Sequence, residues 1–278
     1  MTKLHIIQHG TDGFGHQLEG LITTMAFHNI RNYYFDGIIF TNKEFKYEHI
    51  YNDNEAIIVT QYLKHAVTQF ALFFKQQPIQ YTNILHAHEI YKIPDQNNAD
   101  TKTLYSLDNV FHYNSRYLPH ITQNEIDSLY KNIEIIKPFF RNNPYLMQAK
   151  QNLVPNNIVI HIRMGDALVG GRQPIANLDQ LLDKLLIQYP NHTIYVHSDG
   201  NPCEYIKKHP FILFDKSTPL MQVMSDFINA KVLVCGNSSL VRACAFIGNQ
   251  QLKLIHDDIP PCHFIDKNCI RISNYLAT

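Results

Sequence analysis

Apolar and polar positions along the chain alternate between short β-type runs and helical repeats. Residues 4–7 predict a first strand, residues 11–15 a Gly-rich turn, and Leu18, Leu21, Ile22, Met25 and Ala26 then fall at helical spacing. Residues 33–40 predict a second strand, 62–74 a buried helix and 83–86 a short strand, whereas 92–110 read as polar and irregular. Residues 121–136 have helical periodicity, opened by Thr122 with Glu125 three residues later, a capping-box pattern. A regular alternation begins near Pro155, with strands at 157–163, 193–197, 211–214, 231–235 and 252–256. Helices at 177–188, 202–208, 218–229 and 238–248 fill the intervals. Such alternation implies an α/β fold with right-handed crossovers and parallel sheets. The chain thus reads as two α/β halves, 1–150 and 151–278, meeting around Pro144 and Pro155. A cleft between two such halves is a natural ligand site.

Polar residues interrupt this pattern at telling places. The run Val159-Ile160-His161-Ile162-Arg163-Met164-Gly165-Asp166 is an apolar strand ending in His, Arg, Gly and Asp. Open α/β sheets place ligands at that end of a strand, and an Arg there can grip two phosphate oxygens at once. The bland alternative is a solvated Arg163–Asp166 pair. Gly13-Phe14-Gly15-His16-Gln17 follows the first strand and opens a helix, where free N–H groups favour anions. Leu18 occupies the third position of a dinucleotide Gly-x-Gly-x-x-Gly motif, and Gly20 comes too late, so a nicotinamide cofactor fits poorly. His16 is either a helix-start residue bonded to backbone or a group facing the cleft. Asp199-Gly200 reads as a turn more than as a ligand contact. Asp226 lies inside an apolar helix and needs a partner: His161, a ribose or nucleobase donor, or solvent. In Val232-Leu233-Val234-Cys235-Gly236-Asn237-Ser238-Ser239, one serine serves as an N-cap worth about 1 kcal/mol. Two serines with Arg242 one turn on exceed what capping requires and suit a phosphate.

Composition narrows the partners. The 278 residues carry 24 Lys and Arg against 24 Asp and Glu, so no broad basic face draws nucleic acid or anionic membrane. Any anion must be held by a local pocket. The 5 cysteines include no Cys-x-x-Cys pair, and Cys235 and Cys244 sit in apolar runs as small core residues. Asp-x-Asp is absent, and His86 and His88 would point to opposite faces of a strand. No metal site and no cofactor are expected; charge on a diphosphate leaving group falls to Arg163 and helix dipoles. No apolar run suits a signal peptide or a membrane helix, which predicts a soluble, cytoplasmic chain without an integral membrane segment.

In order, these segments resemble the metal-independent fucosyltransferases, most closely the α1,2-fucosyltransferase family. Gly13-Phe14-Gly15-His16-Gln17-Leu18 is similar to its Gly-x-Gly-Asn-Gln-x turn, and His112-Tyr113-Asn114-Ser115-Arg116-Tyr117-Leu118 to its Tyr-Phe-Gln-Ser-x-x-Tyr-Phe segment. His161-Ile162-Arg163-Met164-Gly165-Asp166 resembles its His-x-Arg-Arg-Gly-Asp motif. Asp226-Phe227 through Asn237-Ser238-Ser239-Leu240 resembles its Asp-Phe…Asn-Ser-Ser-Phe-Ser segment. The same run, with Arg242, is also similar to α1,6-fucosyltransferases. The resemblance implies a GT-B fold, two Rossmann-like domains facing a central cleft, with the acceptor on the N-terminal side and the nucleotide sugar on the C-terminal side. It implies inverting transfer of L-fucose from GDP-fucose to a glycan hydroxyl. Arg163 would hold the β-phosphate, Ser238 and Ser239 the phosphates, and His161 and Asp226 the guanosine. Gly13, Gly15 and Arg242 complete the expected donor site; His16 and Asp166 are the candidate bases beside Arg163. Three departures, His16 for Asn, Met164 for Arg and Leu240 for an aromatic, keep two alternatives open: another nucleotide sugar, or an inactive carbohydrate- or nucleotide-binding module. The oligomeric state is not specified by the sequence.

Overall fold

The computed structural model describes residues 3–7, 14–15, 18–19, 21–22, 33–35, 53–73, 101–105, 123–149, 152–164, 173–259 and 268–278. The chain divides into two compact units, one built on Met1–Met147 and the other on Gln148–Pro261 and Ile265–Thr278.

In the first unit, β1 (Lys3–Ile7), β2 (Tyr33–Phe35) and β3 (Thr101–Tyr105) form a parallel sheet in the order β2-β1-β3. Leu18, Leu21 and Ile22 are helical and buried, as their spacing predicts, and Phe14, expected in the turn, is helical and buried as well. β3 corrects the expectation of an irregular segment over 92–110. Its sequence, Thr-Lys-Thr-Leu-Tyr, lacks an apolar run, but the β-branched threonines suit a pleat and all five residues pair in register with β1. Helix α1 (Asp53–Phe73) starts nine residues before the expected 62. The extra turns escape the hydrophobic pattern because Ile57 and Ile58 face outward, 49% and 41% exposed. Helix α2 (Gln123–Arg141) begins directly after Thr122 and runs through Pro138, which removes one helical donor. Burial of Ile133, Ile136 and Phe140 outweighs that loss. The buried Asn143 then joins the helices: its amide donates to the Tyr62 carbonyl of α1 at 2.8 Å and its Oδ1 accepts from Tyr145 N–H at 3.2 Å. That second bond starts the short α3 (Pro144–Met147), whose first residue is proline, the residue preset for a helix start.

The second unit follows the predicted alternation closely. Strands β4 (Asn157–Ile162), β5 (Thr193–Ser198), β6 (Ile212–Phe214), β7 (Val232–Cys235) and β8 (Leu252–Ile255) are joined by β9 (Cys269–Arg271). All six pair in parallel in the order β6-β5-β4-β7-β8-β9. The helices are α4 (Leu178–Gln188), α5 (Leu220–Asn229), α6 (Ser239–Ile247) and α7 (Ile272–Ala277), and Pro202–Glu204 forms a single 3₁₀ turn. Strand alternation sends Ile158, Ile160 and Ile162 to one face, where Leu178, Leu181, Leu182 and Leu185 of α4 and Ile272 and Tyr275 of α7 bury them. His161 and His197, paired side by side in β4 and β5, point to the other face, against Phe227 of α5. Helices therefore cover both faces, and the chain is a mixed α/β protein with an all-parallel six-stranded sheet.

β9 and α7 lie beyond the strand that was expected to close the series. Three strand residues and six helical ones carry too little periodicity to read. A helix this short is unstable alone and is held by tertiary bonds. Asp257 accepts from Ser273 N–H at 3.2 Å to cap its start, while the Lys184 ammonium donates to the Tyr275 carbonyl at 2.6 Å near its end.

Candidate functional site

The strand order of the second unit reverses between β4 and β7: from β4 the chain winds outward to β6, then returns beside β4 as β7 and winds the other way. Loops leaving the two strands at such a point diverge, which opens a crevice at their carboxyl ends. A small, partly open pocket occupies this place. His161 and Arg163 enter it from β4, Gly236 and Asn237 from the turn between β7 and α6, His256 from the end of β8, and Gln173 from the chain before α4.

Each side chain is placed by identifiable contacts. Asp199, read from the sequence as a turn residue, accepts a bond from Met164 N–H at 2.6 Å and so fixes the backbone just after Arg163. The Met164 side chain turns into the core, 7% exposed, and a Cβ on Gly200 would come within 2.8 Å of it. Arg163 is thus the cation that this stretch offers to the pocket. Gly236 passes so close to β4 that an added Cβ would lie 2.4 Å from the His161 carbonyl oxygen and 3.0 Å from its Nδ1. That contact buries His161 Nδ1, which has no hydrogen-bond partner among the described residues. Burial, with the charge of Arg163 and then His197 alongside, lowers the His161 pKa from 6.5 to about 3, so the ring lines the pocket as a neutral group at physiological pH.

Asp226 finds its partner in a residue the sequence did not point to. Its carboxylate is 2% exposed, with Oδ2 at 3.1 Å from His197 Nε2 and Oδ1 accepting from the Gln222 amide at 2.7 Å. Phe214 stacks on the His197 ring at 4.8 Å and Phe227 meets it edge-on at 5.0 Å. Asp226 therefore sits behind the sheet face beside His161, with both oxygens engaged inside the protein.

The serines are arranged differently from the capping expectation. Ser238 occupies the N-cap position of α6 with extended backbone and is 4% exposed, but its side chain makes no capping bond. Ser239 accepts from the Arg242 guanidinium at 3.2 Å. Neither serine nor Arg242 lines the pocket; Gly236 and Asn237 do. Cys235 and Cys244 are fully buried, and burial pushes both thiols up, in keeping with a core role. Gly15 is helical and buried in the first unit, so the turn expected at 11–15 has become helix by Phe14. Gly13, His16 and Asp166 lie outside the described residues. Among the described residues no cluster of three His, Cys, Asp or Glu side chains is placed to hold a metal ion, and no helix is long and apolar enough to cross a membrane.

His256 and Gln173 are the pocket residues that sequence reasoning missed, and His197 is the missed partner of Asp226. His256 follows a strand in the same way as Arg163, and the missed signal is its place at the end of the strand-type run Leu252-Lys253-Leu254-Ile255.

No family model matches the chain, and no curated protein matches it. Among solved structures, a glycosyl transferase family 9 protein from Veillonella parvula DSM 2008 is similar over 97% of this chain and 85% of its own, at 12% identity and a TM-score of 0.43. A likeness that distant assigns neither a family nor an activity to this chain.

Proposed function

We propose that this protein is an inverting glycosyltransferase whose second unit holds the nucleoside diphosphate of a sugar donor, most simply GDP-fucose. The observation that carries the reading is the convergence of Arg163, the β7–α6 turn and two histidines on the switch-point crevice of a doubly wound parallel sheet. A guanidinium fork matches two phosphate oxygens, and the start of a helix adds partial positive charge. In the transfer, the acceptor hydroxyl attacks the anomeric carbon from the face opposite the diphosphate, and the C–O bond to the β-phosphate breaks. Negative charge grows on the departing phosphate, where Arg163 stabilises it. His16 and Asp166 are the candidates to take the acceptor proton. With no Asp-x-Asp in the sequence, the diphosphate charge is met by protein groups and needs no divalent ion in this scheme. The order of motifs supports fucose as the sugar and a glycan as the acceptor.

A second reading has one observation of its own. Where the fucosyltransferase motif has a second Arg, Met164 is committed to the core, so the phosphate site carries one fewer charge. That favours a glycosyltransferase of the same architecture with a different nucleotide sugar. A thermal-shift panel of GDP, UDP, dTDP and CDP separates the two, and mass spectrometry of products from mixed donors and glycans names the sugar. Strongest stabilisation by GDP supports the first reading. Stabilisation by none of the four would reject both.

A further inference from the structure

His256 stands at a turn that leaves its imidazole one role. The His256 carbonyl accepts from Ile259 N–H at 3.2 Å, closing the turn, while its own N–H extends the β7 ladder by donating to the Cys235 carbonyl at 3.0 Å. Within the turn, Nδ1 accepts the Asp258 backbone N–H at 3.0 Å. A ring nitrogen that accepts from an amide carries no proton, so the neutral ring bears its hydrogen on Nε2. The Asp258 carboxylate lies 3.7 Å from the same Nδ1, but the amide is nearer and sets the tautomer. His256 is 6% exposed and lines the pocket, and Nε2 makes no hydrogen bond within the described residues. The turn itself is clamped from the C-terminal segment. Arg271 donates to the Asp257 carbonyl at 2.6 Å and to that of Ile259 at 2.9 Å, and the Asp257 carboxylate takes the Ser273 N–H.

We propose that His256 is a donor-binding residue, an uncharged N–H that bonds a phosphate oxygen of the sugar donor's nucleoside diphosphate opposite the Arg163 fork. Resting on the glycosyltransferase reading, this names a further ligand to the same leaving group. The site that emerges combines the Arg163 charge with an N–H whose ring is held by the turn. An N–H that three tethers hold in place needs little reordering when a phosphate arrives or departs. An anion suits the pocket because the guanidinium and the N–H that line it both favour negative charge.

The test is calorimetric titration of the full chain and two variants with GDP, guanosine and inorganic pyrophosphate. In His256→Asn the side-chain oxygen still accepts the Asp258 N–H, as Asn does in such turns, but the Nε2 donor is gone. His256→Gln restores an amide N–H at the Nε2 position. We expect His256→Asn to weaken GDP and pyrophosphate about tenfold, near the net worth of one hydrogen bond, with guanosine and the melting temperature unchanged. His256→Gln should recover part of the loss. GDP affinity within twofold of wild type in His256→Asn overturns the assignment and leaves the glycosyltransferase reading standing. Equal losses in both variants with a lowered melting temperature overturn it too, because packing rather than donation is then the cause. Should the wild-type chain bind pyrophosphate in a His256-dependent way but no nucleoside diphosphate, the N–H role holds and the sugar-transfer reading falls. Binding of neither probe defeats both.

Discussion

Among the described residues that line the pocket, Arg163 carries the fixed charge. Its position at a strand end, with Met164 taking the adjacent core place, separates function from folding at neighbouring residues. Arg163→Ala should therefore abolish transfer while the melting temperature stays within a few degrees, since losing one such electrostatic donor raises a barrier by about 3–4 kcal/mol. Arg163→Lys should recover only part, because a point charge does not reproduce the fork. Retention of a tenth of wild-type kcat/KM by the alanine variant would dismiss the phosphate role. Asp226 belongs to a different class of residue. Buried with His197 and Gln222, it orders the sheet face beside His161 and is legible in the sequence only as a charge in want of a partner.

Among the elements, the β7–α6 turn and the β9–α7 segment decide the shape of the pocket. At Gly236 the nearest atom that a Cβ would meet is backbone of β4, which cannot swing away as a side chain can. Gly236→Ala should cost about 1–3 kcal/mol by overpacking and should push His161 and α6 apart. Chemical denaturation measures the first effect and loss of nucleotide binding the second; a variant as stable as wild type would mean that the turn relaxes freely. The C-terminal segment acts at one remove. Arg271→Ala removes both bonds to the turn that carries His256, so amide exchange over 256–259 should quicken and donor affinity fall, while Arg163 stays in place. Unchanged exchange in that stretch would show that the Asp257–Ser273 bonds hold the turn unaided.

Across the whole molecule, the neutral burial of His161 couples folding to pH. In the unfolded chain this histidine takes a proton near 6.5, whereas in the folded chain it does so only at about 3. Between these values the unfolded state binds the extra proton, so folded stability falls as pH drops through the window. The slope from one such group reaches about 1.4 kcal/mol per pH unit. Denaturant midpoints from pH 7 to 4 should therefore decline less steeply in His161→Gln than in wild type; parallel curves would remove His161 from the acid response. The proposed metal-free scheme makes a prediction at the same scale. Transfer activity should persist in excess EDTA, and loss on chelation with recovery in Mn²⁺ would replace that scheme with a metal-assisted one.

The sequence by itself determined the second unit's alternation of strands and helices, because buried parallel strands must be apolar throughout and amphipathic helices must repeat near 3.6 residues. It also placed His161 and Arg163 at a strand end and a Gly-Asn turn after another. Only the tertiary structure decided which strand ends become neighbours. Sheet order brought His256 into the pocket across more than ninety residues from Arg163, paired His197 with Asp226 and drew the polar β3 onto β1. Register settled the rest: Met164 went to the core and the serines of α6 sat beside the pocket instead of lining it. The physical reason is that periodicity records which face of an element is buried. The groups that meet at a site are chosen by contacts between elements, and those leave no periodic trace in either partner.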